Sequence, residues 1–413
     1  MNGKSKIGGV MKEIERQLKV IKRNTVEIIE ENELRAKLKE AIDNNSPLRV
    51  KYGIDPTAPE IHLGHTVPIK KLKDFQELGH RVLFLIGDFT ARIGDPTGRN
   101  ETRPILSEEQ IKNNLSRYKE QAGKILDLSK TEFVYNSHWL SKLTLEEIVK
   151  LASIFTIAQI LEREDFSQRY KSNRPIFFHE FLYPLLQGYD SYALKADVEI
   201  GATEQKFNLL AGRTIQEALG QKKQVVITMP ILRGTDGKLK MSKSYNNHIP
   251  LNTTPDDMFG KVMSIPDSLM EEYFYLLTSI EEGRFKELIK EHPREAKGLL
   301  AKEIVRQYFG EKTAEDAEEK FEKVFREKQV PEEIQEFFLE KASLDSEGKI
   351  AIVDVLFSSG LLPSKMEARR MIIQKAVKLE NEVIEDPYAR IKIKDGQVLK
   401  VGKRKFLKIR LKE

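Results

Sequence analysis

An α/β fold built on a doubly wound parallel sheet, then a helical region, then a small α+β module, is what these 413 residues predict. Three observations carry the prediction. Short apolar, β-branched runs recur in the first half with helical patterns between them. After Pro250 that alternation gives way to consecutive amphipathic patterns, and from residue 349 the positive charge concentrates. Strands that alternate with helices imply parallel pairing, because a parallel partner needs a crossover connection.

Taken in order, Val10, Ile14, Leu18 and Ile21 recur at helical spacing, with Glu13 and Glu15 among Lys12, Arg16, Lys19, Lys22 and Arg23. That pattern reads as an amphipathic helix over 10–30 rather than a targeting peptide. Strands are expected at 48–53, 81–87, 132–135, 196–200 and 224–229. A helix carrying Val67, Leu72, Phe75 and Leu78 precedes the second of them, and a helical insertion covers about 137–195. These make a first domain over 1–247. A helical domain over 248–342 follows, nearly strand-free across 255–340, with patterns at 271–277, 284–290, 297–308 and 314–325. A polar hinge at 343–348 leads into a compact basic module over 348–413.

Composition narrows the function. Charged residues make up 32% and hydrophobic residues 40%, which suits a globular chain rather than a disordered one. The absence of cysteine excludes disulfides, thiolate catalysis and cysteine-bound zinc and fits a reducing compartment, so a cytoplasmic location is expected. No apolar run approaches the ~20 residues of a membrane span. Residues 349–413 hold sixteen Lys/Arg against eight Asp/Glu, net +8, while the whole chain carries +5, so residues 1–348 are net −3. A segregated basic surplus points to a polyanionic partner, nucleic acid above all.

Two short motifs carry chemistry. His62-Leu63-Gly64-His65 follows the first strand and a Pro-rich turn, where the free N–H groups and dipole of a helix N-terminus suit phosphate. Gly64 leaves room for a nucleoside beside the backbone. The plainer readings are capping histidines or half of a metal site, but a third ligand is not evident. Lys240-Met241-Ser242-Lys243-Ser244 lies in a turn-rich polar loop. Its two lysines are either solvated or poised to close on the β- and γ-phosphates of a nucleoside triphosphate. Between these motifs, Tyr183, Gln187 and Asp190 fall on one face of an apolar helix, as a satisfied buried network or a pocket for a polar aromatic amino acid. Asp95, in the Gly94–Gly98 turn, either binds an ammonium or closes the turn.

Residues 49–65, 94–103, 180–190, 200–205 and 240–244 together resemble the bacterial tyrosyl-tRNA synthetases, class I aminoacyl-tRNA synthetases that keep a full KMSKS signature. The resemblance spans nearly the whole chain. It implies a Rossmann-like catalytic domain, a homodimer formed through the inserted helices, a helical domain that helps read the anticodon, and an S-four-type RNA-binding module at 348–413. In that module Ala368–Ile373 resembles the basic helix, with Arg369 and Arg370, and Val401–Lys405 the closing strand, with Lys403, Arg404 and Lys405.

Carried over by position, the resemblance implies that Asp95, Tyr183 and Gln187 hold the α-ammonium of L-tyrosine, that Asp190 holds its phenol, and that Asn136 lies beside the pocket. Gly53, Asp55, Thr57, His62, Gly64, His65, Glu204 and Ser244 would bind ATP, with Lys240 and Lys243 on its phosphates and magnesium accompanying the triphosphate. His62, His65, Lys240 and Lys243 are the expected catalytic groups, and Arg99 and Arg103 serve pyrophosphate or tRNA(Tyr). No protein-held metal and no further cofactor are expected. Two departures stand out. Lys51 occupies a position where much of the family has a phenol-binding tyrosine, and either takes part in recognition or pairs with a nearby carboxylate. Glu204 lengthens the usual aspartate of the ribose loop. Tryptophanyl-tRNA synthetase shares the architecture, and an inactive RNA-binding protein on the same fold is the alternative of another class. Asp190 favours tyrosine over the first, and the two intact motifs argue against the second.

Overall fold

Apolar residues at helical spacing build the first element of the computed structural model, helix α1 (Asn2–Lys22), which buries Ile14, Leu18 and Ile21. The structure describes residues 2–56, 60–95, 108–325, 334–380, 382–402 and 405–412. The helix stops short of the expected 10–30. Asn24 takes a left-handed φ of 57°, and the β-branched run beyond it forms strand β1 (Glu27–Ile29). Val, Ile and Thr lose rotamer freedom in a helix and pack well on a pleated edge, so the chain extends here.

Helix α2 (Glu31–Asp43) precedes β2 (Arg49–Ile54), α3 (Leu63–Glu77), β3 (Arg81–Ile86), α4 (Glu108–Ala122) and β4 (Thr131–Tyr135). Helices α5 (Ser137–Leu140), α6 (Leu145–Ala152), α7 (Ile157–Leu161), α8 (Glu164–Lys171) and α9 (Phe178–Ala193) lie between β4 and β5 (Val198–Ala202). Helix α10 (Lys206–Ala218) and β6 (Val225–Met229) complete the sheet. Strand β5 begins two residues later than expected: Lys195 turns at a left-handed φ of 48° and Ala196 N–H still donates to the Ser191 carbonyl of α9, so the chain is leaving the helix at 196.

The sheet order is β1-β6-β5-β2-β3-β4, with β2 to β6 mutually parallel and β1 antiparallel on the edge. Strand β6 is buried along its whole length, as both faces of a helix-covered parallel sheet require. From β2 the chain winds outward through β3 and β4, then returns to lay β5 on the other side of β2. Oppositely directed crossovers diverge at that point and leave a crevice beyond the carboxyl ends of β2 and β5.

After the sheet come α11 (Pro255–Met263), α12 (Met270–Leu277), α13 (Glu282–Glu291), α14 (Pro293–Phe309) and α15 (Glu311–Phe325). Thr254 caps α11 by accepting from Asp257 N–H, and Pro255 takes the first turn, where its missing N–H costs nothing. The chain forms two compact units, Met1–Glu318 and Glu319–Glu413.

The second unit corrects the strand-free reading of 255–340. Strand β7 (Gln335–Glu340) pairs in parallel with the chain's last described strand, a long-range partnership with no local signature. Strand β8 (Lys349–Ala351), α16 (Ile352–Ser358), α17 (Lys365–Ile373), β9 (Val377–Leu379), β10 (Glu382–Val383), β11 (Arg390–Lys392), β12 (Val398–Val401) and β13 (Lys405–Lys412) follow. Its main sheet runs β10-β9-β12-β13-β7, over a core that includes Ile352, Leu356, Ile372, Leu399 and Leu407. The expected closing strand at 401–405 is not one strand: Val401 ends β12, Gly402 turns at φ 62°, and Lys405 begins β13.

Candidate active site

A cleft of about 1100 Å³ opens at the switch point. Gly53 near the end of β2 with Asp55 just beyond it, Gly201 near the end of β5 with Glu204 just beyond it, the start of α3, one face of α9 and the 240–245 loop all line it.

His62 is the N-cap of α3, and its backbone N–H donates to His65 Nδ1 at 3.3 Å. The two rings lie 3.8 Å apart, centroid to centroid. Burial, then the neighbouring His65 and His248, hold His62 well below its ordinary pKa. Packing around the His65 ring, with His248 adding to it, lowers that group to about 4, although one edge of the ring meets the cleft. Both are therefore neutral at pH 7 rather than cations at the positive end of a helix, and His65, whose Nδ1 accepts, keeps Nε2–H as its ring donor. His62 Nδ1 is buried without a hydrogen-bond partner in the described structure. A Cβ on Gly64 would sit 3.1 Å from the His62 ring, so the glycine makes room for that imidazole, and Met241 of the 240–244 loop packs within ordinary contact of the same spot.

Asp190 forms the floor. Trp139 Nε1–H donates to one carboxylate oxygen at 2.7 Å and Asn136 Nδ2–H to the other at 3.2 Å. Asn136 is itself fixed, accepting from Phe89 N–H and donating toward Thr90 Oγ1. Burial pushes Asp190 up to about 7 against the opposing pull of Lys51 and the two donors. Lys51 is 0% exposed. Its ammonium pairs with Glu199 at 2.8 Å and donates to Ser191 Oγ at 2.7 Å and the Gln187 carbonyl at 3.2 Å. An ammonium has three N–H donors and all three are engaged, so Lys51 takes the carboxylate-pairing role.

Higher in the cleft, Tyr183 OH and Thr90 Oγ1 donate to the two oxygens of Asp55 at 2.9 and 2.7 Å. Asp95 accepts from Gln205 Nε2 at 2.6 Å and from Arg163 at 3.4 Å. Asn208 donates to both Gln187 Oε1 and Gln205 Oε1. The expected residues Asp95, Tyr183, Gln187, Asp190 and Asn136 thus line or border one cleft; Tyr183 bonds the expected Asp55, while Asp95, Gln187 and Asp190 bond partners that sequence reasoning did not single out, Gln205, Arg163, Asn208, Glu199 and Trp139. Gln205 alone carried a signal, as the last residue of the ribose-loop motif. At the mouth, Lys240 pairs with Glu204 at 2.8 Å, and Lys243 lies 3.6 Å from Glu60. Ser244 N–H donates to Ser242 Oγ within the same loop.

In the second unit, the Arg369 guanidinium lies 5.6 Å over the Tyr388 ring and Arg370 pairs with Glu367. Lys405 donates to the Leu361 carbonyl at 2.7 Å. Thr57, Arg99, Arg103, Lys403 and Arg404 lie outside the described residues.

Comparison with known proteins places this architecture. The family model for tRNA synthetases class I (W and Y) matches residues 43–326. The tyrosine–tRNA ligase of Carboxydothermus hydrogenoformans is 53% identical over 404 residues, 96% of this chain and 98% of its own. That of Moorella thermoacetica is 48% identical over 403 residues, 96% of each chain. A C-terminally truncated mitochondrial tyrosyl-tRNA synthetase of Aspergillus nidulans shares the fold, with a TM-score of 0.64 at 22% identity over 77% of this chain and 99% of its own. The chain belongs to the tyrosine–tRNA ligase family of class I aminoacyl-tRNA synthetases.

Proposed function

We propose that this chain activates L-tyrosine with ATP, forming tyrosyl-adenylate and pyrophosphate, and then transfers tyrosine to the 3′-terminal adenosine of tRNA(Tyr). One observation carries the reading: a single cleft has Asp190 at its floor and both signature motifs at its mouth. The phenol donates to Asp190, whose orientation Trp139 and Asn136 fix, while Asp95, Tyr183 and Gln187 receive the ammonium. The tyrosine carboxylate attacks the α-phosphorus and pyrophosphate leaves. A carboxylate needs no deprotonation, so this step requires positioning and charge stabilisation rather than a general base.

ATP is the second substrate, and Gly53, Asp55, Thr57, Gly64 and Glu204 hold its nucleoside. His62 and His65 donate neutral N–H groups. Lys240 and Lys243 exchange Glu204 and Glu60 for the phosphates as the leaving pyrophosphate gains charge, Ser244 supports that loop, and Arg99 and Arg103 serve pyrophosphate or tRNA. Among the described residues no group of three or more His, Asp or Glu is placed to hold a metal ion. Magnesium is proposed only as the triphosphate's counter-ion, and no step is routed through it. The test is amino-acid-dependent exchange of pyrophosphate into ATP with tyrosine, tryptophan and phenylalanine, followed by charging of tRNA(Tyr). Exchange with tryptophan alone, or with none, refutes the assignment.

Three further parts belong to the same reading. Residues 348–413 act as the S-four-type RNA-binding module, with Arg369, Arg370, Lys403, Arg404 and Lys405 toward tRNA, and 248–342 help read the anticodon. The protein works in the cytoplasm; no described helix is long and apolar enough to cross a membrane. It forms a homodimer through the inserted helices, where Leu145, Val149, Ile157, Phe177 and Phe178 are exposed, Phe178 by 77%. A monomer mass in sedimentation at micromolar concentration refutes the dimer.

A further inference from the structure

The 240–244 loop carries two long lysine side chains that have to converge on one phosphate chain, so the backbone between them has to be held. One side chain does most of the holding. Asn247 is 2% exposed and lies just beyond the loop. Its Nδ2 donates to the Lys240 carbonyl at 3.1 Å and to Asp236 Oδ2 at 2.9 Å, and its Oδ1 accepts Ser242 N–H at 2.8 Å. Its backbone carbonyl accepts Thr235 N–H at 2.9 Å. The amide orientation is dictated by its partners, since a flipped amide would set NH₂ against the Ser242 N–H.

The bonds to Lys240 and Ser242 flank Met241, whose buried side chain seats by Gly64 at the start of α3. The clamp also explains Gly234. A Cβ there would lie 2.2 Å from Asn247 Cγ and Nδ2, so any larger residue would displace the amide. At the root of the same hairpin, Arg233 and Lys240 form a bridge, and Glu272 and Tyr273 of α12 bind Arg233.

We propose that Asn247 is the positioning residue of the lysine loop, its amide fixing the backbone on both sides of Met241 so that Lys240 and Lys243 reach the phosphates together. The inference rests on the proposed tyrosine activation. Asn247 touches no substrate and acts through the loop. Its effect belongs to the step in which the leaving phosphates gain charge, and not to tyrosine binding.

The test is Asn247→Asp, nearly isosteric, which turns the donor toward two acceptors into a carboxylate facing them while keeping the acceptor for Ser242 N–H. Misplacement of this kind costs about 10- to 100-fold in rate. The expected result is that loss in kcat for tyrosine-dependent pyrophosphate exchange with tyrosine Kd near wild type, together with a lowered Tm from the carboxylate set against Asp236 and the Lys240 carbonyl. Adding Asp236→Asn restores a donor–acceptor match at that position and still accepts Lys238 and Leu239 N–H through Oδ1, so it recovers much of the lost kcat. Amide hydrogen exchange across residues 234–243 should quicken in the single variant and slow again in the double, a readout that needs no activity. Wild-type kcat and unchanged amide exchange in Asn247→Asp overturn the inference. A wild type that exchanges no pyrophosphate overturns the functional reading instead, leaving amide exchange to judge the clamp.

Discussion

In the proposed reaction, Asp190 is the side chain on which amino acid choice turns. Its two oxygens are already oriented by Trp139 and Asn136, so a phenol meets a fixed acceptor rather than one that must reorganise. Asp190→Ala should lower the tyrosine-to-phenylalanine ratio of kcat/KM by roughly 10- to 100-fold, because a hydrogen bond to a charged group contributes ~1.5–3 kcal/mol. An unchanged ratio would place phenol recognition elsewhere. With Lys51 fully engaged by Glu199, Ser191 and Gln187, this burden falls on Asp190. The pH dependence follows from the same group. Its folded pKa is raised to about 7, so below that pH the free enzyme holds a protonated Asp190 that no longer accepts as an anion. The value of kcat/KM for tyrosine should fall as pH drops through about 7, and this limb should be absent in Asp190→Asn. Lys243 differs in kind, for its charge matters as pyrophosphate develops. Lys243→Ala should cost roughly 2–4 kcal/mol in adenylate formation with tyrosine affinity retained. An unaltered forward rate in rapid-quench kinetics would remove it from the mechanism.

Helix α3 carries His62 and His65, proposed above to meet the phosphates, at its start, and its far end is set by a third histidine. At the α3–β3 junction Gly79 turns at φ 88° and His80 is buried, accepting Leu48 N–H at Nδ1 and bonding Gln17 through Nε2. Burial lowers His80 to about 4, and protonating Nδ1 would break the bond to Leu48. Because the folded pKa is depressed, the stability tied to His80 is fully present above 6.5 and is lost as pH falls from about 6.5 to 4. Urea unfolding should show a steeper loss of stability across that window in wild type than in His80→Ala; equal slopes would refute the linkage. Much of this element scale was legible in the sequence. The five parallel strands are short stretches rich in β-branched, aromatic and other apolar residues, and spacing alone set Tyr183, Gln187 and Asp190 on one face of α9. Strand β1 was not legible, being three residues long and recognisable only by its pairing with β6. Nor were the hydrogen bonds from Gln205 to Asp95 and from Asn208 to Gln187, which depend on how α10 packs against α9.

On the scale of the whole molecule, every described cleft residue belongs to the first unit, whereas the basic surplus lies in the second. The structure also decides where a truncation should fall. Removing 348–413 would leave β7 without β13, its parallel partner, and expose a bare strand edge that invites aggregation. Deletion of 334–413 removes the strand with its sheet. That truncated protein should retain tyrosine-dependent pyrophosphate exchange while charging tRNA far more weakly. The reason is electrostatic, since phosphate contacts by Lys and Arg release counter-ions and make affinity fall steeply with salt. Full-length protein should therefore show a steep decline of log K for tRNA with log salt, and the deletion a shallower one. Arg369→Ala in the full-length chain should lessen the slope by about one contact, its guanidinium being held over Tyr388 on an exposed face of α17. Equal tRNA affinity and equal salt slope, with and without residues 334–413, would show that the C-terminal charge serves another partner.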